Sequence, residues 1–145
     1  MRQILLVAVI VGDNSVAQAA ATAIRSAGFS AEIFVSVEEF IRSNRIPCTG
    51  CLVLDVQQPG MNGMQLQSHL ASAGRHIPII FINASATETA RALAFELGAV
   101  DLLKASGQQI LLKEIGWRLK PREGGDVAGS RSPDKADSYL RDDKL

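Results

Sequence analysis

The sequence predicts an α/β domain: a (βα)5, doubly wound, five-stranded parallel sheet in a three-layer sandwich. Three observations carry this. Five short apolar runs of strand length alternate with five segments of helical periodicity, which implies parallel strands with crossover helices on both faces. The first run is continuously apolar rather than alternating, as a strand covered on both sides must be. Composition agrees: 145 residues, 47% hydrophobic and 21% charged, amount to one globular domain.

Ile4–Val11 forms the first strand. Asn14 or Ser15 caps a helix whose inner face is Val16, Ala20, Ala23, Ile24 and Ala27, ended by Gly28. Ala31–Val35 is a short second strand. Ser36-Val37-Glu38-Glu39 then has capping-box spacing, with Val35 and Phe40 placed as a hydrophobic staple. Cys51–Asp55 is the third strand, and Pro59-Gly60-Met61-Asn62-Gly63 is turn chemistry. A third helix carries Met64, Leu66, Leu70 and Ala73 and stops at Gly74. Ile77–Ile82 is the fourth strand. Ser85 and Glu88 predict another capping box, opening a helix on Ala90, Leu93, Ala94 and Leu97 before Gly98. Val100–Leu103 is a weak fifth strand, followed by a helix holding Leu111, Leu112, Ile115 and Leu119.

Charge narrows the function classes. Fifteen basic and fifteen acidic residues balance to zero, without the basic face that nucleic-acid modules carry. Aromatics are only 5%, too few for a base-stacking platform. No apolar run approaches a bilayer span. The charges are also unevenly spread: eleven of the 25 residues from Pro121 to Leu145 are charged, against 19 of the first 120. This divides the chain into a domain at 1–120 and a charged C-terminal tail at 121–145, whose Gly-Gly, Ser-Pro and mixed-charge composition predicts flexibility. The tail is too short for a helix-turn-helix domain, so the sequence predicts a single-domain protein acting through others.

The opening residues share some features of a leader: Arg2, an apolar run, and Ala17 and Ala19. Gly12-Asp13-Asn14 interrupts that run early, and similar runs recur downstream. A buried first strand and a cytoplasmic location are therefore expected. Cys48 and Cys51 form a CxxC, but the motif leads into a strand rather than a helix N-terminus. A zinc site would need two more ligands, and outside the pair only His69 and His76 exist. The two cysteines are read as a loop thiol and a small buried residue.

In doubly wound sheets, chemistry collects beyond the carboxyl ends of the strands. Those positions are Val11–Asp13, Asp55, Asn83 and Lys104. Asp55 places a carboxylate at the lip of the apolar run Leu52-Val53-Leu54, either as a functional group or as the cap of the following turn.

Residues 52–67, LVLDVQQPGMNGMQLQ, resemble the receiver domain of bacterial two-component response regulators. Asp55 followed by Pro59, Met61 and Gly63 carries the match, with IPIIFINAS at 77–85, LGAVDLL at 97–103 and FVSVEEF at 34–40. The resemblance spans about residues 3–120. It implies a flavodoxin-like fold and a signalling role rather than an enzyme. Asp55 would accept a phosphoryl group from a phosphohistidine or small phosphodonor, with Mg²⁺ neutralising the crowded oxygens. The metal would be held by Asp55, an acidic pair after the first strand, and a backbone carbonyl, here that of Gln57. A hydroxyl after the fourth strand and a lysine after the fifth would grip the phosphoryl group, and an aromatic on the fifth strand would report occupancy.

Position by position, the sequence departs from that pattern. The acidic pair falls at Val11 and Gly12, with Asp13 one residue beyond. Asn83 stands at the hydroxyl position and Leu102 at the aromatic one. The lysine is Ala105 by ungapped counting, or Lys104 if one residue is deleted before the last helix; counting back from Leu111-Leu112 favours Lys104. The Mg²⁺ site formed by Asp13, Asp55 and the Gln57 carbonyl is thus expected to be weak or absent, and phosphotransfer impaired. The alternative is a pseudo-receiver, a phosphorylation-independent module that binds protein partners. A histidine kinase or other signalling protein is the expected partner. The fourth helix, fifth strand and fifth helix, with Leu93, Leu102, Leu103, Ile110 and Trp117, are the expected output or homodimer face. No nucleic acid and no membrane are expected among the partners.

Overall fold

The computed structural model describes residues 5–57 and 62–119. The turn expected at Pro59–Met61 and the tail expected from 121 onward lie outside the described residues. Within them, β1 (Leu6–Ile10), β2 (Ser30–Phe34), β3 (Thr49–Asp55), β4 (Ile79–Asn83) and β5 (Val100–Asp101) form one sheet in the order β2-β1-β3-β4-β5. All four pairings are parallel. The helices between and after them are α1 (Asn14–Ser26), α2 (Val37–Arg42), α3 (Gly63–Ser72), α4 (Glu88–Leu97) and α5 (Gly107–Leu119). A short 3₁₀ turn, Ile46–Cys48, leads into β3. The predicted (βα)5 doubly wound sheet is the observed one.

The period-two alternation of a strand explains why two cores exist. In β1, Val7 and Val9 face one side with Cys51 and Val53 of β3, packing on Ala17, Ala20 and Ile24 of α1 and Leu111 and Ile115 of α5. Ala8 and Ile10 face the other side with Leu52 and Leu54, against Val37 and Phe40 of α2 and Leu66 and Leu70 of α3. Each fully buried Leu, Ile or Phe contributes on the order of 1.5–3 kcal/mol of transfer free energy. Both faces of the central strands being covered is the reason their sequences are unbroken apolar runs.

Several local expectations are corrected. Helix α1 is capped by Asp13, not by Asn14 or Ser15: Asp13 Oδ1 accepts from the backbone N–H of Ser15 at 2.9 Å and of Val16 at 3.2 Å. Asp13 satisfies two otherwise orphan amides of the first turn, and the helix starts one residue earlier than the sequence suggested. At α2, Ser36 caps as expected by accepting from Glu39 N, while Val35 is exposed and its N–H donates to Glu39 Oε1 at 2.7 Å. Phe40 meets Phe34 edge-on, with ring centroids 5.2 Å apart. Met64 is 77% exposed and Ala73 is also exposed, leaving Leu66 and Leu70 as the buried pair on α3.

The largest revision is at α4. Thr87, not Ser85, is the N-cap, accepting from Ala90 N at 3.2 Å. Ala90 and Ala94 are buried, while Leu93 and Leu97 lie on the exposed flank. The fifth strand shrinks to Val100–Asp101, because the chain turns off at once and Gly107 docks on it. A Cβ at Gly107 would sit 2.2 Å from the Asp101 carbonyl oxygen, so only glycine lets α5 begin this close to the sheet.

Candidate functional site

Parallel pairing brings the ends of the strands to one edge. Ile10 pairs with Leu54, Asp55 with Ile82, and Asn83 with Asp101, so the residues following them share the carboxyl edge of the sheet. With strands about 4.8 Å apart, Asp55 and the chain ends on either side of it lie in one row.

Asp55 is the last residue of β3 and is partly buried. Its Oδ1 accepts a hydrogen bond from the backbone N–H of Gln57 at 3.0 Å, closing an Asx-type turn. The bond uses the Gln57 amide, whereas the resemblance draws on the Gln57 carbonyl. Val56 N donates to the Ile82 carbonyl at 2.9 Å, fixing the start of that loop against β4.

The β1 end is different. Val11 is buried in the core on the α1–α5 side, and its N–H donates to the Phe34 carbonyl at 3.3 Å. Gly12 is exposed, and a Cβ there would meet nothing within 4 Å. Asp13 follows, fully exposed, with Oδ1 accepting from two amides and from the Ser15 hydroxyl at 3.0 Å. The Val16 amide first, and then the Ser15 hydroxyl, hold its carboxyl below the usual carboxylate range. One oxygen of the nearest available acid is thus occupied in holding α1.

Asn83 closes β4 and is 1% exposed. Both ends of its amide are used on one neighbour: Oδ1 accepts from Ser85 N at 3.0 Å and Nδ2 donates to the Ser85 carbonyl at 3.1 Å. Its own carbonyl accepts from Leu102 N at 2.8 Å. The bonding continues outward, since the Ser85 hydroxyl accepts from Thr87 N at 3.2 Å and sits 3.1 Å from the Thr87 hydroxyl. Sequence reasoning placed Ser85 at a helix cap and missed this relay; its one visible signal was the spacing of Ser85 and Thr87 after a strand-end Asn.

Lys104 lies exposed in the turn between β5 and α5. Its N–H donates to the Asp101 carbonyl at 3.3 Å and its carbonyl accepts from Gly107 N at 2.9 Å. No ion pair joins Lys104 to Asp55 among the described residues. Leu102, at the position where an aromatic was sought, is partly buried and packs on the α1–α5 core. Gly107 is the other residue that sequence reasoning missed: its close approach sets where this turn can run.

The cysteines take no part. Both are free. Burial, first of all, pushes the Cys51 thiol up to about 12, which keeps it protonated and unreactive. Cys48 is partly buried at the end of the 3₁₀ turn. No group of three or more His, Cys, Asp or Glu among the described residues could hold a metal ion. No helix among them is long and apolar enough to cross a membrane.

An acidic residue at the end of the central strand of a 2-1-3-4-5 parallel sheet, with polar residues after β4 and β5, defines a class of protein. The family model of the response regulator receiver domain matches residues 7–115, and the chain belongs to that family. It is a receiver domain of two-component signalling. Its relatives include the response regulator protein TodT of Pseudomonas putida, 40% identical over 110 residues, which are 74% of this chain and 48% of TodT. Nodulation protein W of Bradyrhizobium diazoefficiens is 38% identical over 98 residues, 68% of this chain and 43% of that protein. The chain spans about half the length of the curated relatives it matches. Among solved structures, a response regulator receiver protein from Burkholderia phymatum superposes with a TM-score of 0.58 at 32% identity, covering 79% of this chain and 94% of that one. These neighbours share the flavodoxin-like α/β fold.

Proposed function

We propose that this receiver domain works in the cytoplasm in a phosphorelay, with Asp55 at the phospho-acceptor position, and that its phosphotransfer is impaired. The observation that carries this is the β1 end. Val11 is committed to the core, Gly12 has no side chain, and Asp13 spends one oxygen capping α1. Asp55 and the Gln57 carbonyl alone do not make a Mg²⁺ site, because that ion dehydrates reluctantly and takes near-octahedral oxygen ligands at short range. A histidine kinase or other signalling protein is the partner this reading requires.

The test is intact-mass spectrometry after incubation with Mg²⁺ and acetyl phosphate. The expected result is slow, partial gain of one phosphoryl group, lost in Asp55→Asn and increased in Gly12→Asp. Gly12 is the right site for that gain, since a new side chain there meets open space. Rapid, complete labelling of the wild type overturns impairment. Absence of labelling even in Gly12→Asp overturns Asp55 as acceptor.

A second reading, a pseudo-receiver that binds partners without phosphate, is favoured by the Asn83 amide. Donor and acceptor are both engaged by Ser85, so the loop after β4 is already held with no phosphoryl group to hold it. The output face in either reading is α4-β5-α5, where Phe95 is 89% exposed, Trp117 70% and Leu103 50%.

A further inference from the structure

Between the first turns of α1, the loop after β4 and the start of α5 lies a half-open cavity of about 310 Å³. It does not include Asp55. Its volume falls at the lower end of the range of small-molecule sites, roughly 300–1,000 Å³. The space exists because the walls are short: Ala19 and Ala20 on α1 and Ala84 after Asn83 present only a Cβ each. The floor is Leu111, fully buried, and Leu102, partly buried, closes one side. Val16 and Leu103 complete the apolar surface.

No lining residue is charged. The polar groups are the Ser15 hydroxyl and the Gln108 amide. Ser15 donates to Asp13, which leaves its oxygen as an acceptor facing a ligand's O–H or N–H. Gln108 makes no side-chain hydrogen bond to another described residue. We infer that this cavity is a binding site for a neutral, mostly apolar small molecule carrying a single hydroxyl or N–H donor. An ionised ligand is disfavoured, because its charge would lose part of its water with no opposite charge in the lining to meet it. The walls adjoin Asp13, Asn83 and Lys104 in sequence, and of these only Asp13 bears on the ligand, by holding the Ser15 hydroxyl; the inference stands whether or not Asp55 is phosphorylated.

The experiment is a titration of ¹⁵N-labelled protein with 2-naphthol, followed by amide chemical shifts. Saturable shifts are expected at Val16, Ala84, Leu103 and Leu111. 2-Naphthoate, the same rings with a carboxylate, should bind at least about tenfold more weakly. Ala19→Phe, at an exposed helix position on the cavity wall, should abolish the shifts while keeping a dispersed spectrum. If that variant unfolds, Leu103→Asp at the half-exposed rim decides the matter, with binding expected to fall at least about tenfold. Unsaturable shifts, equal binding of the carboxylate, shifts centred on Phe95 and Trp117, or undiminished binding in the folded variant overturn the inference.

Discussion

Asp13 holds the start of α1 through one carboxylate oxygen, Oδ1, which accepts from the Ser15 and Val16 amides. Its carboxylate is the nearest acid to an expected metal site, but what it touches is the start of α1. Because its pKa is lowered in the folded state, its contribution to stability is present above the ordinary carboxylate pKa and lost as pH falls through the folded value. Acid unfolding of Asp13→Asn should therefore lack this component while the cap itself persists, since Asn caps nearly as well. Asp13→Ala should lower the melting temperature at neutral pH; thermal scans across the acid range check both. Cys51 supports a second expectation. Burial pushes its thiol up to about 12 and shields it from reagents, so the folded protein should show one thiol reactive toward Ellman's reagent, and Cys48→Ser should show none until denatured. Burial could be guessed from the run CLVLD. The hydrogen bonds of Asp13, Asn83 and Ser85 could not, because short polar side chains choose among nearby partners only once the backbone path is set.

At the scale of elements, glycines mark where the packing is tightest. Gly107→Ala pushes a methyl group into the Asp101 carbonyl and the Leu102 Cα, both backbone, so neither can swing aside. The expected cost is about 1–3 kcal/mol, read as a shift in the urea midpoint with the slope unchanged. Gly63→Ala would meet the Phe81 ring at 2.4 Å, a side chain that can turn, and should cost less than Gly107→Ala in the same experiment. Gly12→Asp meets open space and should leave stability within roughly 0.5 kcal/mol of wild type. The sequence showed glycines in all three places without distinguishing them. Helix α4 teaches the same point: Ala90, Leu93, Ala94 and Leu97 have helical spacing, but only the observed start at Thr87 shows that the alanines face the sheet.

For the whole molecule, the exposed Phe95, Ile110 and Trp117 beside β5 form the surface on which self-association would draw. Trp117→Glu should leave the fold intact, because that side chain is mostly solvent-exposed. If α4-β5-α5 joins two copies, the variant should be monomeric by light scattering at concentrations where the wild type is dimeric. The sequence alone determined the architecture, through five apolar runs whose unbroken character follows from burial on both faces, and the position of Asp55 at the end of the third. It determined also that Val11 and Gly12 supply no carboxylate. Tertiary structure alone decided what the remaining polar residues do. Asp13 and Asn83 are each satisfied by backbone groups a few residues away, and the Ala19–Ala84–Leu102 cavity is assembled from three separate segments. Periodicity records which face of an element is apolar; it carries no record of which polar atoms meet, or of the space left where small side chains from distant segments converge.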